Sequence, residues 1–373
     1  MKLLHLKQGY FAQMEPESFG FLTELIETPS PSGSESLIQK VVNRWASRWA
    51  DSVRSDSHGN LIASLRCNSG ESHSTPVPRV MLAGHCDQLG LMVQFVDEQG
   101  FLYVQPIGGW DLAIVLGQRL TLWTPHGPVT GVCSRKAPHL MSQEERNKLP
   151  QWHDLWIDIG ARDRKEAEEL AQPGDVLTAA LGLHRLRNNM VAGPGIDDKV
   201  GVWVVFEALR LLRLKGTFPA DIFFVSTVQE EVGLRGASTS TFGIDPTVGV
   251  AVDVCHATDT PGNDKKQVGD IRLGSGPVLF RGPNINPHVF DHLKSSALRT
   301  GSSFQVRAVA KATGTDANAM QIARSGVATG LIGLPNRYMH SPVETVHLSD
   351  LTQSANCLAE FCAMIPRNHD WLP

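Results

Sequence analysis

The chain has 373 residues, long enough for two domains or for one large domain carrying an insert. Hydrophobic residues make up 42% and charged residues 19%, a balance that excludes a disordered chain, a collagen-like fibre and a small disulfide scaffold. Its 34 basic residues fall short of its 38 acidic ones, giving a net charge of -4, so no basic excess is present to attract nucleic acid.

The opening stretch, MKLLHLKQGYFAQMEPES, is too short and too interrupted in its apolar residues for a signal peptide. Pro16 suits a first helical turn, and Phe19, Leu22, Leu25 and Ile26 recur at helical spacing. The run Thr28 to Gly33 stops that helix, and a second is predicted over about 36–50. Strands are predicted at 60–65 and 78–83, with a polar loop, 68–75, between them. From about Leu91 the texture becomes short alternating runs split by Gly and Pro turns, the signal of a small β-rich barrel or sandwich. A short helix inside that unit has Asp163 and Glu166 as a capping box. We place the β-rich unit at 90–187, inserted into one discontinuous α/β domain formed by 1–89 and 188–373. In the second half, Lys199 to Leu214 reads as a strong helix ended by Lys215-Gly216, and 221–228 and 247–252 are continuous apolar runs, as buried strands are. Further helices are predicted at 315–324 and 349–364. The most apolar helix is broken by Glu207, Arg210 and Arg213, so no segment reaches the ~20 apolar residues of a membrane span. Six scattered cysteines without a C-x-x-C pair argue against thiolate zinc and suit a reducing cytosol, so a soluble cytoplasmic protein is expected.

Chemistry gathers where the apolar strands end. The run 80–83 leads into Gly84-His85-Cys86-Asp87, the run 222–228 into Gln229-Glu230-Glu231, and the run 248–252 into Asp253. In open α/β sheets, ligands bind beyond the carboxyl ends of the strands. A fourth cluster, Asp197-Asp198-Lys199, opens the strong helix, and a fifth, Tyr338 to Glu344, follows the apolar run 328–333. Each piece alone has a plain structural reading. His85 with Asp87 can be a satisfied pair, and Asp197-Asp198 suits any helix N-terminus. Glu230-Glu231 and Asp253 say more, because carboxylates beside buried strands need a cation or solvent to compensate them. Neutral imidazole and carboxylate are the usual ligands of hydrolytic zinc or cobalt. Three carboxylates and one hydroxide would balance two divalent cations, and two neutral histidines would complete the shells.

The motifs Gly84-His-Cys-Asp-Gln-Leu-Gly90, Ile196-Asp-Asp-Lys-Val-Gly201, Gln229-Glu-Glu-Val-Gly-Leu-Arg-Gly-Ala237, Val252 to Gly262 and Tyr338-Met-His-Ser-Pro-Val-Glu344 run in one order along nearly the whole chain. This series resembles the dinuclear metallo-aminopeptidases that assemble as tetrahedral dodecamers, among them glutamyl and deblocking aminopeptidases and relatives once labelled endoglucanase M. The resemblance implies an α/β catalytic domain with a mixed sheet, and an inserted barrel-like dimerisation domain. It implies two divalent metal ions per subunit, zinc or cobalt, with His85 and Asp253 on one, Glu231 and His340 on the other, and Asp197 bridging. Asp87 would hydrogen-bond the His85 ring, and Glu230 would be the general base. Peptides with a free N-terminus would be the substrates, their α-amino group seated at one metal. The chain would form a homo-oligomer, a dimer or a dodecamer, with no nucleic-acid or membrane partner. Two positions depart from the family pattern: Gln88 stands where Glu is usual, and Lys199 where Arg is frequent. The extension before Glu15 is also longer than usual. Gly314-Thr315-Asp316-Ala317 resembles a family motif near the substrate pocket but also reads as an ordinary helix N-cap.

Rival readings are a deacylase or carboxypeptidase on the same site, a glycosidase using Glu230 and Glu231, and a non-catalytic assembly protein. Immediate neighbours seldom bracket one bond at the about 5–9 Å that glycosidases need.

Overall fold

A computed structural model describes residues 14–69 and 76–373. The N-terminal extension and most of the polar loop 68–75 lie outside the described residues. The first helix runs Pro16–Glu27, with Leu22, Leu25 and Ile26 buried as their spacing predicts. The second, Ser36–Ala46, is shorter than expected, and its chain passes into a strand absent from the sequence reading, β1 (Ser52–Ser55). Next come β2 (Leu61–Leu65) and β3 (Arg79–His85).

Six strands then close into a barrel: β4 (Gly90–Val96), β5 (Leu102–Ile107), β6 (Arg119–Thr124), β7 (Gly127–Arg135), β8 (Leu155–Asp158) and β9 (Val176–Ala179). Alternate side chains such as Leu91, Val93, Leu102, Leu120, Leu122 and Ile157 fill it with a core of its own. The short helix Arg164–Glu168 is capped by the Asp163 side chain, as predicted, but the Glu166 carboxylate returns to the Arg162 amide instead of completing the box. Beyond the barrel, β10 (His184–Arg185) and β11 (Met190–Ala192) form a small antiparallel sheet with a late strand.

The chain then completes the main sheet with β12 (Asp221–Thr227), β13 (Val248–His256), β14 (Val278–Arg281), β15 (Gln305–Ala308) and β16 (Ala328–Asn336), while β17 (Thr345–His347) joins the small sheet. The eight-stranded order is β1-β2-β12-β3-β13-β16-β14-β15. Its four central strands, β12, β3, β13 and β16, are parallel, so their carboxyl ends share one edge. Their middle stretches are apolar and buried, covered by helices. The helix Ile196–Lys215 is buried along most of its length, and Leu348–Ala363 packs against it. Gly84 permits this fit: a Cβ there would lie 2.7 Å from the Gly201 carbonyl carbon and 2.8 Å from the Val202 nitrogen.

One register detail creates the site. β3 and β13 pair only from Val80↔Val248 to Ala83↔Ala251, whereas β3 stays paired with β12 as far as His85↔Thr227. Beyond Ala83 the two central strands separate, and a crevice opens between His85 and Asp253.

Candidate metal centre

Asp253 lies inside β13, not after it as the sequence suggested; the strand continues to His256, with Asp253 registered against Gly333 of β16. Its polarity reads as a strand end, but the lost pairing with β3 gives the carboxylate its opening. Across the crevice, His85 is the last residue of β3. Asp197 and Asp198 precede the regular part of their helix, with backbone angles outside helical values and a cis peptide bond between them. Glu230 and Glu231 follow β12 through Gln229, whose φ of 55° turns the chain. His340, in the loop after β16, has φ 62°. Positive φ is uncommon at non-glycine residues. Here the His340 turn is fastened by its amide, which donates to Glu344 Oε1 at 2.8 Å.

All seven candidate residues are brought together around this crevice. His85 Nε2 lies 3.2 Å from Asp197 Oδ1, and His340 Nε2 lies 3.3 Å from Asp197 Oδ2. Each oxygen of the one carboxylate thus faces a different imidazole. His85 Nε2 is also 3.8 Å from Glu230 Oε2 and 3.9 Å from Asp253 Oδ1, and His340 Nε2 is 3.9 Å from Glu231 Oε1. The Asp87 carboxylate is fully buried and accepts the amides of Glu230 (3.0 Å) and Glu231 (3.2 Å), as well as the Ser32 hydroxyl (2.6 Å). The His85 ring faces Asp87 through Nδ1, which is 3.1 Å from the main-chain carbonyl and 3.5 Å from Oδ1.

Three acidic residues with no role assigned from sequence complete the nest. Glu344 accepts the Asp197 amide at 3.0 Å as well as that of His340, tying two candidate ligands to one buried carboxylate. Asp198 accepts the amides of His85 and Gly201. Asp316 accepts the Thr227 hydroxyl at 2.6 Å, while Thr315, at the cap position, makes no side-chain cap. Glu344 and Asp198 lie inside the quoted motifs, but nothing in a sequence distinguishes a carboxylate that binds backbone from one that faces the crevice.

Two groups of these residues each converge within 4.8 Å: His85, Asp198 and Asp253, and Asp197, Glu231 and His340. The donor set fits divalent cations. Imidazole nitrogens and carboxylate oxygens suit zinc and its neighbours, and Glu231 Oε1 is buried with no hydrogen-bond partner. Electrostatics agree. Burial pushes the carboxyls of Glu230 and Asp253 well above their ordinary range, with nearby carboxylates adding to it, and Glu231 up to about 7. Burial also opposes the Asp197 charge, but hydrogen bonds from His340 and His85 outweigh it and hold its carboxyl far below the usual value. The hydrogen bond to Asp197 lifts His340 to about 9. So many carboxyls gathered in one crevice call for positive charge, which bound cations would supply in place of protons. The barrel reaches this nest as well. The Gly109 carbonyl lies 3.1 Å from His340 Nδ1, and a Cβ on Gly108 would press on Leu89 at 2.3 Å and sit 3.3 Å from Glu231 Oε2.

A His and carboxylate nest at the carboxyl edge of a mixed α/β sheet, beside a six-stranded barrel, fits a metal-dependent hydrolase. Residues 59–357 match the family described as M42 glutamyl aminopeptidase. Among curated proteins, the lysyl aminopeptidase of Pyrococcus furiosus is 39% identical over 334 residues, 88% of this chain and 92% of its own. Among solved structures, the TET aminopeptidase of a marine sediment archaeon, Thaumarchaeota archaeon SCGC AB-539-E09, superposes with a TM-score of 0.87 at 29% identity, over 94% of this chain and 97% of that one. The Pyrococcus horikoshii TET1 peptidase, described as able to assemble into a tetrahedron or a large octahedral shell, gives 0.81 at 29% identity, over 93% and 100%. The chain belongs to the M42 glutamyl aminopeptidase family and is a metal-dependent aminopeptidase.

Proposed function

We propose that this enzyme removes N-terminal residues from peptides with a pair of divalent cations, zinc or cobalt, that share Asp197. The observation that carries the reading is the Asp197 carboxylate, whose two oxygens face His85 and His340 at 3.2 and 3.3 Å. His85 and Asp253 would hold one cation, and Glu231 and His340 the other. When bound, the cations would supply Lewis-acid chemistry, making a nearby water more acidic and polarising the scissile carbonyl. Glu230 takes the proton of the attacking water and later gives it to the leaving amine. Burial suits it to that exchange by raising its affinity for the proton. Asp87 positions Glu230 and Glu231 through their amides and His85 through its ring, and Glu344 fixes Asp197 and His340 from behind.

We assign 1–89 and 188–373 to the catalytic domain and 90–187 to an inserted dimerisation domain, supported by the six barrel strands falling between Gly90 and Ala179. The last part of that insert includes β10, which pairs with β11 outside it. A homo-oligomer, dimeric or dodecameric, is supported by the shells described for the TET1 relative. No helix among the described residues is long and apolar enough to cross a membrane, and the six cysteines are unpaired, which supports a cytosolic setting.

The test compares a peptide bearing a free N-terminus with its N-acetylated form, in metal-loaded enzyme and after chelation. Only the free amine should be cleaved, and chelator should abolish cleavage. Equal cleavage of both forms would make the protein a different amide hydrolase, and turnover indifferent to chelator would end the metal reading.

A further inference from the structure

Three histidines meet where the chain ends, away from the nest. His288 and His292 are four residues apart on the helix Pro287–Arg299, so they project from one face of it. The ring of His369 packs against both, its centre 5.1 Å from that of His288 and 5.4 Å from that of His292. Trp371 lies beside them, its ring centre 4.5 Å from that of His369 and 5.4 Å from that of His292. The Trp371 carbonyl accepts the Asn286 side-chain amide at 2.7 Å, and Asn286 caps the same helix, so the end of the chain is already fastened beside the pair. His369 and Trp371 line an open recess together with Thr247, the residue before β13. Asp253 lies six positions further along that strand, which puts the recess about 20 Å from the nest.

Edge-to-face packing accounts for the angles between these rings, 80° and 79°. It does not account for His369 Nε2, which is buried with no hydrogen-bond partner, a costly state for a polar nitrogen. The spacing is also that of shared coordination, since two imidazoles bound at about 2.0–2.1 Å to one tetrahedral cation have ring centres about 5.2 Å apart. Two histidines at i and i+4 on a helix are a recurrent zinc-binding pair. Burial, then the neighbouring His369 and His288, pushes the His292 imidazolium below its ordinary pKa, which leaves a neutral ring with a lone pair to give. As the rings stand, their nitrogens do not converge to within 4.8 Å of one another. Rotation about the bond that carries each ring, a soft torsion, is the movement that binding requires. We infer that His288, His292 and His369 form a further cation site, for a divalent ion of the nickel, copper and zinc class, that clips the end of the chain to its helix. Imidazole donors select that class over magnesium and calcium, which take oxygen ligands. The imidazoles bring no charge and must reorient, so the site fills in excess cation and empties on dialysis, while the nest keeps its ions.

The experiment equilibrates zinc-loaded, full-length protein without an affinity tag against nickel, and counts both metals by elemental analysis. Wild type is expected to take up one nickel per subunit with no release of zinc, and H292A and H369Q are expected to lose that nickel while keeping their zinc and their peptidase activity. Retained activity shows that the variants are folded, because the nest lies along the sheet from the recess. A second measurement needs no ligand variant: paramagnetic nickel should quench the fluorescence of Trp371, so the quench in wild type should exceed that in W371F, which keeps all three imidazoles. No nickel uptake by wild type, nickel that enters only as zinc leaves, equal uptake by wild type, H292A and H369Q, or an equal quench in wild type and W371F each overturns the site. None of those results touches the aminopeptidase reading, which rests on the nest.

Discussion

Glu230 and Gln88 show the site at the scale of single residues. In the proposed mechanism Glu230 moves a proton and holds no cation, so Glu230→Gln is expected to keep the full metal content while kcat falls by about a hundredfold to ten-thousandfold. Near-normal turnover in this variant would remove Glu230 from proton transfer. Gln88 accepts at 2.5 Å from Lys199, whose ammonium is completely buried and also donates to the Thr28 carbonyl at 2.7 Å. Both partners are neutral, and burial pushes the amine from 10.5 down to about 7. Between those values the unfolded chain binds more protons than the folded one, so this lysine makes stability rise with pH across that window. Gln88→Glu supplies the missing negative charge. In chelator-treated protein it should raise the Tm near pH 7, with the gain shrinking toward pH 10 as the amine loses its proton. A lower Tm than wild type at pH 7 would show that the cost of burying the new carboxylate exceeds the gain. The five expected metal ligands, Glu230 and Asp87 stand out in the sequence as acids and histidines beside apolar runs, but the roles expected of them came from the family resemblance and not from the residues alone. Glu344, Asp198 and Asp316 were not given roles, because their work is to bind backbone amides and a hydroxyl, and those partners exist only once the chain is folded.

Among the elements, those with strong apolar periodicity were read correctly: the helices at Pro16–Glu27 and Ile196–Lys215, the central strands, and the change of texture at the barrel. The elements missed are ones whose partners, not their own patterns, define them. β1 is nearly all exposed and exists only as the edge neighbour of β2. The helix Arg235–Ile244, RGASTSTFGI, is rich in Ser, Thr and Gly and has low intrinsic propensity, yet Ala237 and Ile244 anchor it in the core. Boundaries erred for the same reason, as at Asp253, where strand β16 extends β13 beyond its apolar run. The contact of β3 with the helix Ile196–Lys215 matters most, since it fixes His85 relative to Asp197. Gly84→Ala would press a methyl into backbone on the helix side. Destabilisation of about 1–3 kcal/mol is expected, read by urea unfolding. A change within about 0.5 kcal/mol, the range of neutral surface substitutions, would mean that this contact is looser than the distances indicate.

In the whole molecule, the catalytic sheet and the barrel have separate cores but meet at the metal-binding nest, where the Gly109 carbonyl contacts His340 and Gly108 leaves no room for a side chain beside Leu89 and Glu231. That meeting gives the insert a physical part in the site beyond any role in assembly, and it was invisible in sequence because two glycines carry no chemistry of their own. The nest itself draws on β3, β13, the turn after β12, the loop after β16 and the start of a helix, and the Asp197 carboxylate faces both His85 and His340, which is why we propose it as the shared ligand. Elemental analysis of purified wild type and Asp197→Asn, loaded and then dialysed alike, tests that role most directly. Two cations per subunit in the wild type, with both lost together in the variant, is the expected result; a single cation in the wild type, or a variant that keeps one full equivalent, would contradict the shared carboxylate.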